Sequence, residues 1–142
     1  MALCGAIAWV VAYAVPAGII ALPSSLRVML VASLAGLGLL FNLWPKFVFG
    51  RVGTTVNPLR PASSRVLVIT GLHRLSRNPM YLGHALLLVA WACWLQHPAA
   101  LIGAPLYMAY VTRHQILPEE RALWATFGAA YEAYQARVRR WL

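Results

Sequence analysis

Four long apolar stretches run through the chain, at residues 2–22, 27–45, 80–96 and 98–117. Each is close to the ~20 residues that a helix needs to cross ~30 Å of hydrocarbon. Two short polar connections, Pro23-Ser24-Ser25 and Gln96-His97-Pro98, join them into hairpins too brief to hold a site. The polar residues collect instead in a long connection, 46–79, and in a tail, 118–142. In the tail Pro118 suits a first helical turn, Glu119 and Glu120 favour its positive end, and Gly128 reads as the stop. From residue 129 onward Tyr131, Tyr134, Val138 and Trp141 recur at helical spacing opposite Arg137 and Arg140, which predicts a helix lying on a membrane surface. The expected fold is all-α: one domain over residues 1–142, a polytopic membrane bundle of four transmembrane helices with C-terminal interfacial helices.

Composition strengthens that reading. Of 142 residues, 61% are hydrophobic and 11% charged, outside the proportions of a soluble domain. The net charge of +9 raises the question of nucleic acid, but the bases flank apolar runs as membrane-anchoring loops do, and no nucleic-acid partner is expected. Lys46, Arg51, Arg60, Arg65, Arg74 and Arg77 lie in the long connection, and Arg113, Arg121, Arg137, Arg139 and Arg140 at or in the tail. Positive charge marks the cytoplasmic side, so the connection and both termini are placed there. Ala12 and Ala14 give the first segment a cleavage-site look, yet no Lys or Arg precedes it and a second apolar run follows at once, so a retained helix is expected. Cys4 and Cys93 lie singly in apolar runs near opposite membrane faces, which predicts two thiols, no disulfide and no metal site. Gly36-Leu37-Gly38 follows no strand and is not a dinucleotide loop. With Ala32 it suits close helix contact, homodimerisation included, and Asn42 suits an interhelical hydrogen bond.

The chemistry gathers in two places. Glu119, Glu120 and Glu132 are the only acids, and two are adjacent. Topology brings the pair to the same membrane face as the stretch before the third helix, where Pro79 leaves the amides of residues 80 and 81 without intrahelical partners. The plainer alternative is an anchoring belt, with arginines on lipid phosphate, Tyr81, Trp124 and Tyr131 at the interface, and a structural ion pair from the acids to Arg113, Arg121 or Arg77.

The segments TGLHRLSRNPMYLG (residues 70–83) and PEERALWATFGAAYEAYQARVRRW (residues 118–141) resemble the two signatures of the isoprenylcysteine carboxyl methyltransferase and phospholipid methyltransferase superfamily, and GTTVNPLRPA (residues 53–62) resembles its bacterial members. The resemblance implies a compact membrane enzyme without a Rossmann domain that transfers a methyl group from S-adenosylmethionine to a lipidic or apolar acceptor. It assigns Arg65, Val66, Leu67, Val68, His73, Asn78, Pro79, Met80, Tyr81 and Glu119 to the cofactor, with Glu120 in support. Carboxylates, arginines with free amides, and aromatic faces match that cofactor's ammonium and hydroxyls, its carboxylate, and its sulfonium. Gln115, Arg77 and Arg113 are placed toward the acceptor, and His114 is the candidate base for an amine or thiol, with His73 and His84 as other histidines in reach. Gln115 stands where the isoprenylcysteine enzymes carry an arginine, four residues before the first acid, which puts a carboxylate acceptor in question. His73 replaces the usual tyrosine, and Asn78 the usual histidine. A prenylated cysteine, a phospholipid amine and a small hydrophobic thiol are all compatible acceptors. From other classes, a non-catalytic scaffold and an NADPH-dependent membrane reductase compete.

Overall fold

The computed structural model describes residues 1–15, 22–52 and 66–142. These residues are helical throughout their regular parts, with no strand among them. The helices are α1 (Ala2–Ala14), α2 (Ser24–Val52), α3 (Pro79–Leu95), α4 (Gly103–Val111), α5 (Leu117–Phe127) and α6 (Ala129–Arg137). Contacts cluster into two compact units, Met1–Leu40 with Gly83–Ala109 and Phe41–Leu82 with Tyr110–Leu142.

Helix α1 is shorter than its apolar run. Val15 leaves the helix at φ −103° and ψ 101°, because a residue that precedes a proline, here Pro16, is pushed out of the α region. The rest of the expected first span, 16–21, lies outside the described residues. Helix α2, by contrast, continues past the expected end at 45 to Val52, with Pro45 inside it. A proline within a helix removes one backbone hydrogen bond without necessarily ending the helix. On the next turn Lys46 Nζ donates to Asn42 Oδ1 at 2.8 Å. Ser24–Val48 is the described helix long and apolar enough to cross a membrane; α1 and α3 are apolar but shorter.

In the first unit, Ala8, Ala92 and Ala100 form a small-residue core with Ala12 and Leu95 against it. Close approach between α2 and α3 falls at Gly38: a Cβ there would stand 2.9 Å from the Gly83 carbonyl oxygen and 2.9 Å from Leu87 Cγ, whereas at Gly36 it would meet nothing within 4 Å. Arg27 Nη1 donates to Gln96 Oε1 (2.9 Å), with the guanidinium 4.9 Å from the Trp94 ring centre. His84 Nδ1 and the Tyr107 hydroxyl are 3.0 Å apart. Cys4 and Cys93 are free thiols.

The stretch expected as a fourth span is built from three kinds of helix. A 3₁₀ turn (Pro98–Ile102) leads into α4, which continues through a π turn (Thr112–Ile116) into α5. Pro118 explains the π turn, since it has no N–H to give His114, four residues back, and its ring crowds that carbonyl. Ile116 and Leu117 keep helical dihedrals, so α5 has no free start and Glu119 and Glu120 do not sit at a helix N-terminus as the sequence suggested. Gly128 does stop α5, at φ 49° and ψ −123°, and α6 ends at Val138, which is extended (φ −124°, ψ 128°). In the tail, contrary to the surface helix expected from sequence, Tyr131 (2% exposed) and Tyr134 (5%) turn into the protein rather than toward an interface.

Candidate active site

The second unit is organised around Glu120. Its carboxylate accepts from Arg77 Nη2 (2.8 Å to Oε1), Arg140 Nε (3.0 Å to Oε1) and Arg140 Nη2 (2.7 Å to Oε2). Among the described residues both ion pairs end on this one acid. Burial alone would raise the Glu120 pKa, but the hydrogen bonds and charges of Arg140 and Arg77 together hold it below the usual carboxylate value. Arg77 also donates through Nη1 to the carbonyls of Val138 (2.9 Å) and Gln135 (3.3 Å). One guanidinium thus ties the turn before α3 to α5 and to the end of α6.

Glu119, one residue earlier on α5, meets only neutral donors. Tyr81 donates its hydroxyl to Oε1 at 2.8 Å and Gln115 its side-chain amide at 3.0 Å. Oε2 accepts no hydrogen bond from the described residues. Burial pushes the Glu119 pKa up, and the Gln115 and Tyr81 donors offset part of that rise. Glu119 therefore links the first turn of α3 to the π turn, where Gln115 sits.

The start of α3 is fixed from several sides. Asn78 N–H donates to Ser76 Oγ (3.1 Å), Asn78 Nδ2 to the Arg140 carbonyl (3.1 Å), and Asn42 Nδ2 to the Met80 carbonyl (3.4 Å). Ahead of it, Gly71 adopts φ +62°, and a Cβ there would lie 3.4 Å from Trp44 Nε1. His73 follows in the 3₁₀ turn Gly71–Arg74, buried, with its carbonyl accepting from the Tyr134 hydroxyl at 2.7 Å. Burial lowers the His73 pKa to about 4, against a small opposing effect of the Thr70 backbone hydrogen bond, so its ring is neutral at physiological pH.

Of the residues singled out from sequence, Tyr81, Gln115 and Glu119 meet in one cluster, with Asn78, Pro79 and Met80 on the adjoining turn. Arg77 and Glu120 meet each other. Val66, Leu67 and Val68 lie in the irregular stretch before the Gly71–Arg74 turn, and Arg65 lies outside the described residues, as do 53–62. Arg113 and His114 are exposed and line an open cleft of about 820 Å³ with Leu117, Glu120, Arg121, Trp124 and Gln135. The His114 ring lies 4.6 Å from that of Tyr110. Neither Arg113 nor Arg121, two of the three cations considered for an ion pair with the acids, makes one; Arg77 does. Ser76, Tyr134 and Arg140 were not anticipated. Arg140 is 20 residues from its partner, and nothing in sequence spacing marks the pair.

Comparison with known proteins agrees with these motifs. A model of the phospholipid methyltransferase family matches residues 26–130. An uncharacterized protein of Haemophilus influenzae is 40% identical over 63 residues, which make up 44% of this chain and the whole of that protein. No solved structure matches the chain. The family match extends over α2 to the start of α6 and takes in the Asn78–Tyr81 turn and the glutamate pair, so the chain belongs to the phospholipid methyltransferase family, within the superfamily of isoprenylcysteine methyltransferase-like membrane methyltransferases.

Proposed function

We propose that this chain is an integral-membrane methyltransferase that uses S-adenosylmethionine and acts on a lipidic or apolar acceptor, with four membrane-crossing segments and its termini and active site on the cytoplasmic side. The observation that carries the reading is the state of Glu119: a half-buried carboxylate held from one side by Tyr81 and Gln115, with Oε2 left to accept, beside the first turn of α3. That is a receptor for a cationic or hydroxylated ligand, and the cofactor offers an ammonium and ribose hydroxyls. The first hydrogen bond of α3 that closes on its cap, Leu82 N–H to the Asn78 carbonyl (3.0 Å), leaves the amide of Met80 ahead of the intrahelical ladder, where a carboxylate is favoured. The aromatic face of Tyr81 suits a sulfonium.

When bound, the cofactor supplies an electrophilic methyl group for displacement in line with its sulfur. The protein's part is to orient and to exclude water. Gln115 spends its amide on Glu119, so it holds the cofactor's carboxylate partner in place rather than gripping a substrate carboxylate. This favours an amine or thiol acceptor over a prenylcysteine carboxyl. Such an acceptor must lose a proton. His73, with a pKa near 4, is a poor base at neutral pH and serves as a hydrogen-bonding wall. His114, exposed beside Arg113, is the base this reading assigns.

The test is calorimetry on detergent-purified protein with S-adenosylhomocysteine. Binding is expected, with Glu119→Gln weakening it by at least about tenfold, roughly 1.4 kcal/mol, and Glu132→Gln leaving it unchanged because Glu132 is exposed and outside the cluster. Folded protein that gives no heat with this ligand overturns the reading, and heat with NADPH alone replaces it with a reductase.

A further inference from the structure

We propose that the C-terminal segment Val138–Arg140, which leaves α6 through an extended Val138, is a strap that sets the cofactor-binding turn, and that Arg140 is its positioning residue. The proposal rests on the methyltransferase reading for its consequence, but not for its geometry.

Three consecutive residues of the tail face three consecutive residues of the turn. The Val138 carbonyl accepts from Arg77 Nη1 (2.9 Å), the Arg139 carbonyl from Arg77 N–H (3.0 Å), and the Arg140 carbonyl from Ser76 Oγ (3.3 Å) and Asn78 Nδ2 (3.1 Å). The extended conformation at Val138 lets them do so, because a helix would turn those carbonyls along its own axis. Arg140 then closes the arrangement with its side chain, which grips both oxygens of Glu120 on α5.

The two ends of the cofactor turn are therefore held by neighbouring glutamates, one directly and one through Arg140. Tyr81 is held directly by Glu119, and Asn78 is held by the Arg140 carbonyl, whose own place is set by Glu120. With Asn78 Nδ2 committed to the strap, the side of the asparagine turned to the site is decided by residue 140. The Arg140 side chain is 35% exposed and that of Arg77 11%. Loss of the Arg140 guanidinium accordingly leaves the buried Arg77–Glu120 pair in place while the strap loosens.

The experiment uses the full chain in detergent with Arg140→Gln, Arg140→Lys and Arg139→Gln, and reads three quantities: the Kd for S-adenosylhomocysteine, the thermal midpoint, and hydrogen exchange over residues 76–82. Arg140→Gln is expected to raise Kd about tenfold, with faster exchange at the Arg77 amide and a midpoint within a few degrees of wild type, since a half-exposed ion pair adds little stability. Arg140→Lys recovers part of the affinity, having the charge but not the two-point grip. Arg139→Gln changes nothing, because only its carbonyl is used. An unchanged Kd in Arg140→Gln, with or without a lower midpoint, would reduce Arg140 to a brace and overturn the proposal. If wild type fails to bind the ligand, the methyltransferase reading fails, and exchange still decides the strap: faster exchange at 76–78 in Arg140→Gln sustains it, and identical exchange overturns it.

Discussion

Replacing Glu120 by glutamine keeps the size of the side chain and removes its charge, which isolates what the carboxylate does. Three charge-assisted hydrogen bonds end on it, from Arg77 and Arg140, and glutamine keeps one oxygen while turning an NH₂ group toward a guanidinium. Breaking a buried pair costs about 3–5 kcal/mol when the partner is left desolvated. Arg77 approaches that case at 11% exposure, but retains two backbone carbonyls; Arg140, at 35%, recovers water and deserves little weight. A net loss of about 3 kcal/mol is expected for Glu120→Gln, with Arg77→Gln losing a similar amount and the double variant little more than either, because both remove the same pair. Equilibrium unfolding in mixed detergent micelles, with Glu132→Gln as an exposed control, measures it. A loss under about 0.5 kcal/mol, the scale of ordinary surface changes, would refute the view that this carboxylate is the fastening point of the second unit.

Two further outcomes are expected from the same stability assay. Gly38→Ala should destabilise by about 1–3 kcal/mol through overpacking, since its Cβ would press on the Gly83 carbonyl and Leu87, while Gly36→Ala, with open space around it, should be neutral or stabilise by up to about 1 kcal/mol through helix propensity; the reverse order would misplace the α2–α3 contact. Stability should begin to fall near pH 6.5 on acidification: His73 has a folded pKa of about 4 against 6.5 for the free side chain, so the unfolded chain binds the extra proton and the contribution, complete above 6.5, drains away as pH falls toward 4. Glu120, held below its usual value, adds to the loss only below about 4.5, whereas Glu119, raised by burial, contributes with the opposite sign. His73→Gln should flatten the slope between pH 6.5 and 4.5, and an unaltered slope would show that His73 is not its source.

Where sequence and structure agree, one physical signal sufficed. The start of α3 was legible to within a residue because proline is tolerated at a first helical position, and Gly128 was legible as a stop because only glycine adopts its dihedrals at ease. The family signatures likewise placed Asn78–Tyr81 and Glu119 in one cluster. The tail shows why the rest was hidden. Tyr131 and Tyr134 do share a helix face, but helical periodicity cannot tell a face turned to lipid from one turned to protein, as both are apolar. Arg140 was placed by extending that helix past its real end: once Val138 turns extended, the 3.6-residue rotation no longer applies, and the side chain assigned to a polar outer face goes instead to Glu120. The apolar run read as ending at 45 continues as helix to Val52, since the single hydrogen bond lost at Pro45 does not end it.

The adjacent acids acquire different work from helix geometry alone. Neighbouring positions on a helix point about 100° apart, so Glu119 and Glu120 cannot share partners however alike they look in sequence. Glu120 takes up two of the chain's arginines, and Glu119 is left with a phenol and an amide. The distinction matters because a carboxylate already paired with a guanidinium gains little from a cationic ligand, whereas one desolvated and held by neutral donors gains the full attraction. The chain holds 12 basic and three acidic residues, so cations that could pair with a buried acid are plentiful. By occupying Arg77 and Arg140, Glu120 leaves those two cations unavailable to neutralise the carboxylate beside it, and the proposed role of Glu119 depends on that.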